Sequence, residues 1–300
     1  MIALSTGSLY SYGTVRAFEM AAKAGYDGIE VLVDHRWDTR QPAYLRRLSA
    51  DCGLPIAVVH SPFAVAVPDW PFDQLGRLRR TVVLAREVGA STVVTHLPSR
   101  LCTITGRWYR HGHRPRRFRL PVPLPRRESY YHFLHNGLAE LEAETGITVG
   151  VENMPAQRFL GLRINGYWYN SPAELSCLPH LTLDTTHLGT WDLDPLVVYG
   201  QLRERVVHVH LSNYDGREHR SPPDGRLPLA EFLRHLARDG YQGAITVESN
   251  PEALGAGDEA ECLAALRRAL AFCRNHFIYS HTAHLSKGCY NVRNLTRTVP

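Results

Sequence analysis

The sequence lacks any run of about 18 or more apolar residues, and it does not open on a basic segment followed by an apolar one. The first absence argues against a membrane-spanning helix, and the second argues against a secretory leader. The six cysteines include no Cys-x-x-Cys pair and form no dense framework, which is typical of reduced thiols in a core. We therefore expect a soluble protein of the cytoplasm with no membrane partner.

Acidic residues are also missing from one long segment, residues 100–127, which contains nine arginines. Because the formal net charge is +5, subtracting these nine charges leaves −4 for the rest of the chain. The basic charge is therefore local, which argues against a surface that binds nucleic acid everywhere but is compatible with one site for phosphate or another anion. We interpret residues 99–127 as an insertion without periodicity, either a lid over a site or a solvated basic loop.

The chain repeats a pattern of a short β-branched run, a loop, a helical segment and a glycine about every 30 to 40 residues. Such a repeat is typical of βαβ units around a parallel sheet. Eight predicted strands, eight predicted helices and 300 residues with 44% hydrophobic content indicate the α/β class and a single (β/α)8 barrel. We predict the barrel over residues 1–277, with the insertion after the fourth strand and a C-terminal tail at residues 278–300.

Six of the predicted strands end in a residue type that can bind a metal. Buried strands more often end in apolar or turn residues, so the repetition indicates one shared site, which in a barrel lies at the carboxyl ends of the strands. Asp184 and His187 combine an oxygen and a nitrogen ligand, a mixture typical of Zn, Mn, Fe or Co sites, although Asp-x-x-His alone is more often a loop hydrogen bond. The six residues are His60, His96, Glu152, Asp184, His210 and Glu248.

Two other residues of the predicted strands have less certain roles. Glu30 either supports the site or is a salt-bridged carboxylate inside the barrel. His208 and His210 share one face of their strand because side chains alternate with a period of two. We expect His208, which is farther from the strand's end, to fill a deeper layer.

These motifs, in this order, resemble the xylose isomerase-like TIM barrel superfamily, which contains sugar epimerases and isomerases, inosose dehydratases and endonuclease IV. The resemblance extends from Ile2 to about Phe277. It rests on six motifs: His60-Ser-Pro, Thr95-His96-Leu-Pro, Val151-Glu152-Asn153, Leu183-Asp184-Thr-Thr-His187, His208-Val-His210-Leu and Val247-Glu248.

Two branches of this superfamily imply different metal contents. The ketose epimerase branch implies one divalent ion, Mn or Zn foremost and Co, Fe or Mg otherwise, held by Glu152, Asp184, His210 and Glu248. The endonuclease branch implies three zinc ions, bound with the help of further histidines and of an aspartate at the position of Arg217. A cation there would repel a third zinc ion, so the single-metal branch is favoured. We assign the remaining residues to substrate binding: His60, His96, His187, Arg217 and His219.

The chemistry that the resemblance implies is proton transfer beside a carbonyl, which requires a Lewis acid on the substrate oxygens and a base on each relevant face. We expect Glu152 and Glu248 to be these catalytic bases, with Arg217 and the metal stabilising the enediolate charge. The expected function is a metal-dependent isomerase, epimerase or dehydratase of a small polyhydroxylated carbonyl compound.

The substrate would be a sugar or polyol derivative, and an anionic one if the arginine-rich segment binds it. The alternative function is that of a nuclease or phosphoesterase of the endonuclease IV type. An inactive or purely binding barrel is disfavoured because the ligand set is complete. We expect no nucleic-acid partner, and a homo-oligomer is compatible with the sequence.

Overall fold

A closed barrel of eight parallel strands forms the centre of the protein. The structure, a computed structural model, describes residues 1–108 and 116–277, with the side chains of residues 103–119 excepted, so the predicted tail at 278–300 lies outside the described residues. The strands of the barrel and of two hairpins are, in chain order, β1 (Ile2–Ser5), β2 (Gly28–Leu32), β3 (Ile56–His60), β4 (Thr92–His96), β5 (Leu101–Trp108), β6 (Arg116–Pro123), β7 (Thr148–Glu152), β8 (Ala156–Phe159), β9 (Leu162–Asn165), β10 (Leu181–Asp184), β11 (Val206–Leu211) and β12 (Ala244–Val247). Around the barrel the order is β1-β12-β11-β10-β7-β4-β3-β2, which confirms the predicted (β/α)8 architecture.

Helices connect the barrel strands and pack against their outer face. Gly25 ends the first helix in a left-handed conformation with φ 93°, as its place after the apolar pattern predicts. Within residues 1–108 and 116–277, no helix is both long enough and apolar enough to cross a membrane. The helices are α1 (Thr14–Ala24), α2 (Pro42–Cys52), α3 (Gln74–Val88), α4 (Glu128–His132), α5 (Leu138–Thr145), α6 (Pro172–Leu175), α7 (Thr185–Thr190), α8 (Pro195–Leu202), α9 (Leu229–Arg238) and α10 (Glu259–His276), with a π-helical turn at Phe133–Gly137 and 3-10 turns at Thr6–Leu9, Trp37–Thr39, Arg203–Arg205 and Pro251–Leu254.

The barrel strands are buried on both faces of the sheet. Val58 and Val59 are consecutive in β3 and therefore point to opposite faces, yet both are fully buried. One face packs inside the barrel and the other packs against the helices, which is why these strands are short continuous apolar runs in the sequence. His208 lies inside the barrel, two residues deeper than His210, with its Nε2 2.8 Å from Thr246 Oγ1.

The arginine-rich insertion contains regular structure, which corrects the expectation of a segment without periodicity. β5 and β6 form an antiparallel hairpin whose register runs from Leu101 opposite Pro123 to Trp108 opposite Arg116. A two-stranded sheet consists of edges alone, where proline and charged residues are tolerated, so its sequence need not alternate. A second antiparallel hairpin, formed by β8 and β9, follows β7 and runs from Ala156 opposite Asn165 to Phe159 opposite Leu162.

The base of the first hairpin is attached to the segment that follows the second. The backbone N–H of Arg100 donates to the carbonyl oxygen of Gly166 at 2.7 Å. The guanidinium groups of Arg100 and Arg126 lie 4.9 and 5.4 Å from the centroid of the Trp168 ring. These hydrogen-bond and cation–π contacts hold both hairpins beside the carboxyl ends of β4 and β7, from which the two insertions leave.

The short helix α7 follows β10 directly and was not expected. Asp184 ends the strand and caps the helix, since its Oδ1 accepts the backbone N–H of His187 at 2.8 Å. The pattern Asp-x-x-His therefore serves the local fold, as an ordinary loop hydrogen bond would. Asp184 Oδ2, the second carboxylate oxygen, takes no part in this helix cap.

Gly150 in β7 approaches Thr182 in β10 so closely that a side chain has no room. A Cβ at Gly150 would lie 3.1 Å from the Thr182 nitrogen and closer still to Thr182 Oγ1. We expect Gly150→Ala to lower the free energy of unfolding by about 1–3 kcal/mol, the usual cost of overpacking, as measured by urea unfolding. The control is Gly200→Ala in α8, where a Cβ meets nothing within 4 Å. It should raise stability by up to about 1 kcal/mol, and equal stability of the two variants would contradict the packing argument.

Candidate metal centre

Four potential metal ligands converge at the carboxyl end of the barrel. Glu152, Asp184, His210 and Glu248 each offer one ligand atom, and these atoms all lie within 4.8 Å of one another. They come from β7, β10, β11 and the residue after β12, four strands that are neighbours in the barrel. His210 pairs in register with Asp184, so the strand pairing itself brings the ligands together. The structure thus places side by side the four residues that the sequence analysis assigns to the metal.

The imidazole of His210 is the centre of this cluster. Its Nδ1 is 2.8 Å from Glu152 Oε1, 3.3 Å from Glu248 Oε2 and 3.8 Å from Asp184 Oδ2. His210 and Asp184 are fully buried, and the side chain of Glu248 is 13% exposed. One imidazole nitrogen therefore faces three carboxylates, of which Glu248 is the most accessible from outside.

The other nitrogen of His210 is held by a residue from across the barrel. His210 Nε2 lies 2.9 Å from Oε2 of Glu30, which is fully buried on β2. The same Glu30 oxygen is 3.4 Å from His208 Nε2. Of the two roles considered for Glu30, this contact supports the first, because a carboxylate that fixes the far nitrogen orients a ligating histidine.

Burial and mutual charge shift the pKa values in this cluster in different directions. Burial by itself would lower the pKa of His210, but the carboxylates around it, Glu248 foremost, raise that pKa well above its ordinary value. Burial would raise the pKa of Glu152, yet His210 and then His60 hold it well below the usual range. Burial does raise the pKa of Glu248, against the effect of His210. The pKa of Glu152 is thus lowered and that of Glu248 raised, so Glu248 binds a proton more readily than Glu152 does.

Two further histidines adjoin Glu152. Nε2 of His60 and Nε2 of His96 lie 3.6 and 3.5 Å from Glu152 Oε2. The His60 ring stacks on the His210 ring, with centroids 5.4 Å apart and planes 14° apart. Burial, followed by the charge of His60, lowers the pKa of His96 to about 3, so His96 offers a neutral nitrogen. Both residues therefore belong to the same cluster as the four ligands.

Four buried polar atoms in this cluster have no hydrogen-bond partner among the described residues. An unpaired buried polar atom costs on the order of 1–3 kcal/mol, and such atoms are rare in folded proteins. Their concentration at one point indicates a ligand that the chain itself does not supply. A set of carboxylates and imidazoles fits a divalent cation. The four atoms are Glu152 Oε2, Asp184 Oδ2, His60 Nε2 and His96 Nε2.

His187 and His219 flank the cluster on the side of Asp184. His187 Nδ1 is 2.8 Å from the carbonyl oxygen of Asn153 and 3.8 Å from Asp184 Oδ2. His219 Nδ1 is 3.1 Å from the carbonyl oxygen of Glu248. The two rings meet edge to face with centroids 5.4 Å apart. Of the five residues assigned to substrate binding, His60, His96, His187 and His219 therefore lie together at the cluster.

Arg217 lies elsewhere. Its side chain is 72% exposed, and its guanidinium pairs with Asp215 at 3.0 Å. It lines a cavity of about 430 Å³ together with Arg158 and Tyr214, and none of the four potential ligands lines that cavity. The structure thus does not bring Arg217 to the cluster in this conformation.

A smaller cavity of about 210 Å³ reaches the cluster through His96. Phe63 covers His96, with ring centroids 3.9 Å apart and planes 28° apart, and Tyr167 and Met154 line the same cavity. None of the four potential ligands lines this cavity either, but His96 does, and its Nε2 lies 3.5 Å from Glu152 Oε2, so this smaller cavity borders the cluster.

The sequence analysis missed Phe63 and Tyr167 as residues of the site. Phe63 directly follows the His60-Ser-Pro motif, but an aromatic residue after a strand has no specific signal. Asn153 belongs to a quoted motif without an assigned role. It donates to the carbonyl oxygen of Asp184 at 3.1 Å and accepts the Asp184 N–H at 2.7 Å, which fastens the ends of β7 and β10 to each other.

Comparison with known proteins is consistent with this fold. An uncharacterised protein of Mycobacterium tuberculosis is 29% identical over 301 residues, which cover 92% of this chain and 98% of the relative. The crystal structure of D-allulose 3-epimerase from Methylomonas sp. in complex with D-allulose is 19% identical with a TM-score of 0.64, covering 92% of this chain and 96% of that one. An AP endonuclease, family 2, from Brucella melitensis is 17% identical with a TM-score of 0.62, covering 88% of this chain and 96% of that one. At these identities the two structures establish a shared fold alone.

The sequence model of one family spans nearly the whole barrel. The model described as xylose isomerase-like TIM barrel matches residues 18–266, from within α1 to within α10. The matched range contains all four potential ligands and the histidines around them. The structural neighbours are ketose 3-epimerases and AP endonuclease family 2 proteins. The chain therefore belongs to the xylose isomerase-like TIM barrel family.

Proposed function

We propose that this protein is a divalent-metal-dependent isomerase or epimerase of a small polyhydroxylated carbonyl compound, with dehydration as a variant of the same chemistry. The observation that carries the proposal is the convergence of three carboxylates on one nitrogen of His210, with unpartnered oxygens on Glu152 and Asp184. The fold shared with several sugar epimerases supports the same class of reaction.

The residues that would hold the metal are Glu152, Asp184, His210 and Glu248. Three carboxylate oxygens and one nitrogen form an oxygen-rich set that suits Mn, while Zn, Co, Fe and Mg also accept such ligands. When bound, the ion supplies a Lewis acid that polarises the substrate's oxygens and stabilises the charge that develops as the α-proton leaves. Glu30 keeps His210 in the orientation that points Nδ1 at the carboxylates.

In the proposed mechanism the two glutamates act as a pair of bases. Glu152 and Glu248 reach His210 Nδ1 from β7 and from the end of β12, two strands that are separated in the barrel by β10 and β11. A substrate carbon above His210 would therefore meet a carboxylate on each side. One glutamate removes the α-proton and the other returns a proton to the opposite face, which inverts the configuration of that carbon.

The neighbouring side chains bind the substrate and keep water out. His187 and His219 adjoin Asp184 and Glu248 and would form hydrogen bonds with substrate hydroxyl groups. His96 faces the cavity beside Glu152 and would bind a hydroxyl group there. Phe63 and Tyr167 form the apolar wall of that cavity, which lowers the access of water to the reacting carbon.

A second candidate function is that of a metal-dependent phosphoesterase or nuclease. His60, His96 and Glu152 form a further group of three potential ligands within 4.8 Å of one another, so a second ion would be held by these residues, with Glu152 common to both groups. Two metals about 3.5–4 Å apart are typical of phosphate-ester hydrolysis. Against this candidate, the sequence has Arg217 where the resemblance to the endonuclease branch implies an aspartate ligand.

The first prediction concerns the metal. The purified protein should bind one divalent ion per chain when it is titrated with Mn or Zn. Asp184→Asn should weaken that binding by more than about a hundredfold. Mutation of residues that only form hydrogen bonds with the ligands already lowers metal affinity about 10–100-fold, and a ligand itself should contribute more. Asp192→Asn removes a carboxylate that pairs with Arg163 and Arg226 and should leave the affinity unchanged. Elemental analysis and titration calorimetry measure both, and failure of every divalent ion to bind would refute the proposal.

The second prediction concerns the bases. At saturating metal, Glu152→Gln and Glu248→Gln should each slow solvent deuterium exchange at the α-carbon by about 10²–10⁴-fold, with a much smaller change in substrate binding. Proton NMR in D2O follows the exchange. Glu252→Gln, at an exposed site in the turn after β12, provides a matched control with full exchange. Near-normal exchange in both active-site variants would remove the two glutamates from the mechanism.

The third prediction separates the two candidate functions. An isomerase with one metal should keep its single bound ion in His60→Gln, and it should not cleave abasic duplex DNA at any divalent-ion concentration. A phosphoesterase with two metals should bind a second ion that His60→Gln and His96→Gln both remove. Metal titration and an incision assay distinguish the two. Binding of a second ion together with specific incision of DNA would refute the isomerase proposal and support the nuclease.

A further inference from the structure

Arg77 is a buried cation without an acidic partner. It lies in the first turns of α3 and is only 8% exposed. Its Nη1 donates to the carbonyl oxygen of Phe72 at 2.6 Å, and it forms no ion pair with a carboxylate of the described residues. Asp73 precedes the helix and caps it by accepting the backbone N–H of Gly76 at 2.7 Å, and its charge acts on Arg77 without forming a close ion pair. Arg77 therefore lacks the close anionic partner that a buried charge normally has.

A second arginine faces the same space. Arg127, at the end of the arginine-rich segment, lines the cavity of about 210 Å³ together with Arg77. Burial lowers the pKa of Arg77 from its ordinary value; the charges of Tyr130 and Asp73 oppose this shift, and the positive charge of Arg127 adds to it. Two like charges that repel each other across a cavity gain stability from an anion bound between them.

The neighbouring arginines of the segment have a different role. Arg100 and Arg126 both lie over Trp168, and Arg126 also lies 5.0 Å from the centroid of the Tyr169 ring. These stacking contacts fasten the base of the hairpin of β5 and β6. Arg127 follows immediately and is exposed, so the anchored hairpin base positions this cation at the cavity.

The cavity also borders the candidate metal centre. His96 lines it and lies 3.5 Å from Glu152 Oε2, while Phe63 and Tyr167 supply apolar walls. A single small molecule in this cavity would therefore place one end at His96, beside Glu152, and another group at Arg77. Asp73 also lines the cavity but caps α3, and the two arginines still leave a net positive lining that suits a polar ligand of modest size with one acidic group.

We propose that Arg77 and Arg127 bind an oxyanion on the substrate, a phosphate ester or a carboxylate, so that the substrate is an acidic sugar derivative and not a neutral ketose. The planar guanidinium group matches both kinds of oxyanion with paired N–H donors. The statement that the rest of the substrate is a reacting sugar depends on the proposed function. The oxyanion site itself depends only on the two arginines.

The direct test is calorimetric titration of the metal-loaded full-length chain with inorganic phosphate and, separately, with acetate. Arg77→Gln and Arg127→Gln should each weaken phosphate binding by about tenfold or more, the usual effect of losing a charge-assisted hydrogen bond. Arg86→Gln removes the same charge from an exposed position farther along α3 and should leave the affinity unchanged. The acetate titration shows whether a carboxylate is accepted as well.

Phosphate affinity that is equal in Arg127→Gln, Arg86→Gln and the unaltered protein would overturn the proposal. Because Arg77 is buried, its variant is checked by circular dichroism, and the exposed Arg127 decides the question if Arg77→Gln does not fold. Phosphate that binds the metal ion itself contributes equally in all three variants. The difference between the arginine variants and the Arg86 control therefore reports the oxyanion site.

A kinetic test uses D-fructose 6-phosphate and D-fructose as a matched pair of probes. Arg127→Gln should raise KM for the phosphate ester, leave kcat nearly unchanged and leave KM for the free ketose unchanged. Equal KM changes for both sugars would overturn the assignment. Loss of metal binding with intact arginine-dependent phosphate binding would refute the proposed function alone, so the two failures are distinguishable.

Discussion

The contact of His210 with carboxylates on both of its nitrogens is the constraint on which the rest of the site depends. Glu30 holds one nitrogen, and Glu152, Asp184 and Glu248 surround the other. Three acids so close together in a buried place would repel one another and lose much of their hydration. A positive charge among them compensates for both costs. A proton on His210 and a divalent cation among the same side chains are two ways to supply that charge.

The four potential ligands come from neighbouring strands of the barrel. Parallel pairing puts the ends of β7, β10, β11 and β12 side by side, and Asn153 ties the ends of β7 and β10 together. Contacts across the barrel then complete the centre, because Glu30 and His60 reach His210 from β2 and β3. The two hairpins that leave β4 and β7 are fixed to each other through Trp168. They bring Arg127 and Tyr167 to the cavity that opens on the centre.

The sequence could predict the barrel and the convergence of the four ligands because both depend on local patterns. Buried parallel strands are short apolar runs, and a polar residue at the end of such a run must lie at one rim of the barrel. The choice between the two roles of Glu30 was not predictable, since this residue lies within β2 and contacts β11 only across the barrel interior. The hairpin of β5 and β6 was not predictable either, because two edge strands need no apolar alternation. The burial of Arg77 was not predictable either, since an arginine in a helix usually lies on a solvent-exposed face.

The central claim is that Glu152, Asp184, His210 and Glu248 hold one catalytic divalent ion. Its most direct test is anomalous X-ray diffraction, at the manganese absorption edge, from crystals of the protein grown with Mn. The account predicts a single strong anomalous peak in contact with all four side chains, with Glu30 still bonded to His210 Nε2. The absence of a peak at these residues would contradict the claim, and a second peak of equal strength between His60 and His96 would contradict the single-metal chemistry.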